Sequence, residues 1–70
     1  MNYMNAIANK IAAAAQMSIQ TSKPVALSGL DFEAVSDALA RFPGVSSALV
    51  GSTMRATGTL RGQTFRIVFR

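Results

Sequence analysis

Three short segments in the last third of the chain, Val45 to Val50, Thr53 to Leu60 and Gln63 to Arg70, alternate apolar and polar side chains with a period of two residues. Such alternation marks half-buried strands, and the dipeptides that separate them, Gly51-Ser52 and Arg61-Gly62, are short enough only for tight hairpins. Closing the second hairpin at Leu60 and Gln63 sets the register. Gly58 then faces Phe65, Ala56 faces Ile67 and Met54 faces Phe69, so each large apolar residue of the last strand meets a small or flexible neighbour on one face. A slip of one residue would turn all three large side chains to water, so the apolar face fixes the pairing.

Upstream, the period changes. Met4, Ile7, Ile11, Ala14 and Ala15 recur at three- and four-residue spacing, which predicts a helix over Asn2 to Gln16, and Ala12-Ala13-Ala14-Ala15 gives it high propensity and a surface another backbone can approach. Tyr3 is expected to pack locally at its start. From Met17 to Leu27 the pattern breaks, and Ser18, Thr21, Ser22 and Pro24 predict a connection with a short extended piece at Val25 to Leu27. A second helix is expected from Ser28 as cap, through Leu30, Phe32, Val35, Ala38, Leu39 and Phe42 on its apolar side, to a stop at Pro43-Gly44.

These elements predict an α+β fold of order α-α-β-β-β in which two helices cover one face of a three-stranded antiparallel meander. One further short edge strand, from Val25 to Leu27 or Met17 to Gln20, would make it four-stranded. Phe32, Val35, Leu39, Phe42, Val45, Leu49, Met54, Leu60, Phe65, Ile67 and Phe69 are the expected core. Seventy residues suit one small domain, residues 1–70, and a chain of this size buries only about 60% of its unfolded surface, so self-association is a natural way to gain stability. Homo-oligomerisation, through the Ala-rich helix or an open sheet edge, is therefore among the expectations.

Charge is distributed unevenly. Seven basic residues against three acidic ones give a formal net charge of +4. Asp31, Glu33 and Asp37 are confined to the second helix region, whereas Arg55, Arg61, Arg66 and Arg70 cluster at the carboxyl-terminal end. In the predicted register the outward parity brings Arg55, Arg66 and Arg70 among Thr53, Thr57 and Thr59, with Arg61 on the hairpin tip. Guanidinium groups bind carboxylates or phosphates in a bidentate manner, and threonine hydroxyls add hydrogen bonds. Exposed Thr and Arg also serve simply to keep a sheet hydrated. The expected function is a non-enzymatic one: binding an acidic protein surface through Arg55, Arg61, Arg66, Arg70, Thr53, Thr57 and Thr59, as an inhibitor or adaptor of a larger complex. The alternative is non-specific or architectural binding of double-stranded nucleic acid by the same residues. Because Phe65 and Phe69 share the inward parity, the face offers no aromatic platform for stacking single-stranded bases.

Catalytic chemistry finds little support. The chain has no Cys and no His, so disulfides, thiol nucleophiles, imidazole bases and the usual zinc sites are excluded, and no metal or cofactor is expected. Asp31 and Glu33 do not share a helical face, and the hydroxyls lack an activating base. Gly58, Leu60 and Gly62 do not make a phosphate loop. The segment Met1 to Met17 is interrupted by Asn2, Asn5, Asn9, Lys10 and Gln16 and has no basic stretch before it. It is expected to be neither a membrane span nor a signal peptide, which leaves the cytoplasm as the expected location.

Overall fold

The computed structural model describes residues 3–70, and side chains from Ala6 onward. The expectations for Asn2 and for the side chains of Tyr3 and Met4 lie outside the described residues. Along the chain run α1 (Tyr3–Thr21), β1 (Val25–Leu27), α2 (Phe32–Leu39), β2 (Ser46–Val50), β3 (Thr53–Leu60) and β4 (Gln63–Phe69). The strands form one sheet of order β1-β4-β3-β2, in which β1 runs parallel to β4 and the other neighbours are antiparallel. The sheet is thus four-stranded and mixed, which corrects the expected three-stranded antiparallel meander, and the element order is α-β-α-β-β-β. Val25-Ala26-Leu27 is too short for its direction to be read from periodicity. Its place follows from the tertiary structure: Val25 and Leu27 are partly buried against the common core, and the strand covers the flank of β4 that the β3 hairpin leaves open.

The β3–β4 register is Met54↔Phe69, Ala56↔Ile67, Gly58↔Phe65 and Leu60↔Gln63, as the apolar face requires. Gly58 leaves room for its neighbours, since a Cβ there would approach both Phe65 Cζ and Val45 Cγ2 to 2.8 Å. At the hairpin tip Arg61 and Gly62 both have positive φ, 53° and 79°, the signature of a type I′ turn whose twist matches that of the strands.

Ile7, Ile11, Ala14 and Ala15 of α1, Val35, Ala38 and Leu39 of α2, and Met54, Ala56, Phe65, Ile67 and Phe69 of the sheet share one buried cluster. Each of its large side chains contributes about 1.5–3 kcal/mol by leaving water. The helix α1 lies against β4 and β1, and α2 packs on α1 and touches β2. This cover stops short of the sheet's β2 side. Leu49 and Leu60 were expected in the core, but they are 65% and 40% exposed. Phe32, Phe42 and Val45 are only partly buried.

Both helices differ in length from their expected spans. The helix α1 continues beyond Gln16 to Thr21, because Ser18 extends the stripe of Ile7, Ile11, Ala14 and Ala15 and is itself buried. The second helix is shorter than expected and is capped by Asp31 rather than Ser28. Asp31 Oδ1 accepts the Glu33 N–H at 3.3 Å. After Leu39 the chain tightens: Arg41 N–H donates to Ala38 O and Phe42 N–H to Leu39 O, three residues back in each case.

Candidate functional site

With both helices on one side, the other side of the sheet is uncovered among the described residues. The registers fix its rows. Ala26, Val68, Arg55 and Ala48 lie side by side across the four strands, and Arg66, Thr57 and Ser46 form the next row. Arg55 and Arg66 are diagonal neighbours on adjacent antiparallel strands, a relation in which long side chains still meet. They line a shallow depression of about 340 Å³ together with Pro24, Thr57 and the half-buried Val68. Two arginines therefore share one depression with the apolar residues Pro24, Ala56 and Val68.

Two positions owe their geometry to local chemistry. The hydrogen-bonded pairs of the β3–β4 hairpin alternate from Leu60 and Gln63, so the backbone groups of Arg66 point away from β3. The strand β1 begins only opposite Ile67, too late to reach the Arg66 N–H, which donates instead to Ser18 Oγ of α1 at 3.0 Å. Ser18 thus holds the Arg66 backbone in place from the helical layer. The Arg55 backbone is paired within the sheet between β2 and β4.

The other expected site residues are dispersed. Thr59 is exposed opposite Thr64, one row beyond Arg66. Arg61 is exposed at the tip, about 13 Å along the strand from the Thr57 row at some 3.3 Å per residue. Thr53 is half-buried, and its hydroxyl donates to Val50 O at 2.9 Å, so its proton is already engaged. Arg70 follows the end of β4, where its N–H donates to Leu27 O at 2.9 Å. The ladder does not extend to a Thr53–Arg70 pair. Pro24 and Ala26 belong to the face but were not among the expected residues. Only the position of β1 beside β4 brings them there.

The remaining charges are instructive. Lys10, Lys23 and Arg41 number the same as Asp31, Glu33 and Asp37, so the entire formal excess of +4 resides on Arg55, Arg61, Arg66 and Arg70 of the β3–β4 hairpin and its end. Among the described residues no group of three or more acidic, His or Cys side chains is placed to hold a metal ion. None of the described helices is long and apolar enough to cross a membrane. No family model, curated protein or solved structure matches this chain.

Proposed function

We propose that the protein is a binding module whose uncovered sheet face takes an acidic surface of another protein, with Arg55 and Arg66 as the central anchors. The observation that carries this reading is the shared depression in which those two arginines flank Thr57, Val68 and Pro24. A carboxylate can take a bidentate bond from either guanidinium while an apolar side chain beside it covers Val68, a combination of charge and apolar floor typical of protein contacts. Arg61 extends the reach at the hairpin tip, and Thr57 and Thr59 add hydrogen bonds. Binding of this kind fits an inhibitor or adaptor of a larger assembly.

A phosphate backbone would be attracted by the same charges. Two features favour protein: the apolar floor has no role against a duplex backbone, and α1, with Lys10 as its one basic residue, is not a helix suited to a charged groove. The deciding test is affinity capture from nuclease-treated lysate of the source cell, comparing the native sequence with an Arg55→Glu/Arg66→Glu variant shown by circular dichroism to be folded. A stoichiometric protein retained by the native sequence and lost by the variant is the expected result. Capture seen from untreated lysate but absent from the nuclease-treated one, with binding to duplex DNA that weakens steeply with salt, would replace this reading with nucleic-acid binding.

A further inference from the structure

The strand β2 is an open edge that carries none of the usual protection. Its sequence, Ser46-Ser47-Ala48-Leu49-Val50, has no charge and no proline, its ladder with β3 is regular without a bulge, and all five residues are exposed. Edge strands ordinarily carry such devices because their free N–H and C=O groups template pairing with another chain. The opposite edge differs, since its strand β1 is only three residues long, and Ser18 takes the Arg66 amide that β1 leaves unpaired on β4. Exposed apolar area gathers on the β2 side as well, with Leu49 at 65% and Val50 at 50%.

The geometry points to a second copy of this chain as the occupant, paired antiparallel through β2 about a two-fold axis at Ala48. The hairpin closes at Val50↔Thr53 around a two-residue turn, so Val50, Ala48 and Ser46 direct their backbone groups at β3. Ser47 and Leu49 direct theirs outward. Placing the axis at Ala48 sets Ser47 against the partner's Leu49 and Leu49 against the partner's Ser47, so all four free N–H groups meet free carbonyls. This register is the one centred on the strand, and it pairs all five residues.

Side chains agree with it. On the uncovered face the smallest one, Ala48, meets itself on the axis, and Val50 lies beside the partner's Ser46. On the helical face the partner's Leu49 falls beside Ser47 and diagonal to Val45, at the rim of an apolar cleft of about 240 Å³ lined by Phe42, Pro43, Val45, Leu60 and Phe65. Charge does not oppose the union: the two Arg55 positions are three strand spacings apart, about 14 Å, beyond the screening length of roughly 8 Å in physiological salt. An uncharged, self-complementary edge fits an identical strand better than it fits an acidic or basic partner. The product is a continuous eight-stranded sheet with two copies of the Arg55–Arg66 depression on one face, whatever that face binds. A five-strand-residue interface belongs to the small, reversible class, so the dimer is concentration-dependent.

The protein has no native cysteine, which makes single-thiol variants decisive. Across the axis the two Ala48 positions form a non-hydrogen-bonded pair with Cα atoms about 4.5 Å apart, within disulfide range, whereas the two Ser46 or the two Val50 positions lie about 14 Å apart. Ala48→Cys is expected to crosslink under mild oxidation roughly tenfold faster than Ser46→Cys or Val50→Cys alone, because pairing raises the effective thiol concentration. An equimolar mixture of Ser46→Cys and Val50→Cys is expected to crosslink faster than either alone. Sedimentation equilibrium of the native sequence from micromolar to millimolar concentration should give a monomer–dimer isotherm. A strictly monomeric isotherm, or Ala48→Cys crosslinking no faster than the other single variants, would overturn the inference.

Discussion

Ser18 sits 3% exposed on the apolar side of α1 and accepts the N–H of Arg66. Removing its hydroxyl strands a partly buried amide at the end of β1's cover. Ser18→Ala is expected to lower unfolding free energy by about 1–2 kcal/mol in urea titration, whereas Ser22→Ala, at an exposed position after α1, should leave it nearly unchanged. Equal effects of the two substitutions would show that the hydrogen bond contributes nothing. Gly58 poses the opposite problem, too little space. Gly58→Ala is expected to destabilise by about 1–3 kcal/mol through overpacking against Phe65 and Val45, and Val45→Ala in the same chain should recover part of the loss. Purely additive destabilisation in the double variant would place the strain elsewhere. Ser18's role could be seen in the sequence only as a polar residue continuing the stripe of Ile7, Ile11 and Ala14. Its partner, forty-eight residues away, has no local signal.

At the level of elements, α2 has only eight residues, so propensity alone will not hold it and it depends on its cap and its buried face. Asp31→Ala is expected to lower stability by about 0.5–1 kcal/mol, the low end for caps given the 3.3 Å bond, while Asp31→Asn should retain most of it. Thermal unfolding of the two variants checks this. The β3–β4 hairpin was readable because one register alone puts Phe65, Ile67 and Phe69 on the buried side opposite Gly58, Ala56 and Met54. The strand β1 was not readable in the same way. Three apolar residues after Pro24 have no period, and a parallel neighbour is set by the path of α1 across the sheet rather than by any turn. Leu49 and Leu60 follow the inward parity yet stay exposed, since alternation tells which face a side chain takes but not whether a helix covers that face.

For the whole molecule, charge is divided unevenly: the helical layer and its connections balance charge, and the β3–β4 hairpin and its end hold the excess, with Arg55 and Arg66 on the uncovered sheet face and Arg61 and Arg70 at the hairpin's two ends. Arg55, Arg66 and Thr57 were legible as a group because strand parity and hairpin register determine them together. The contributions of Pro24 and Ala26 were not, because they depend on the mixed topology. On the function proposed above, this uncovered face is the contact surface. The most direct measurement is the amide NMR spectrum of the isotopically labelled protein in nuclease-treated lysate of the source cell, compared with its spectrum in buffer. Selective broadening is expected at Arg55, Thr57, Arg66 and Val68, relieved in the Arg55→Glu/Arg66→Glu variant. Broadening centred on α1 or α2, with those four amides unaffected, would contradict it.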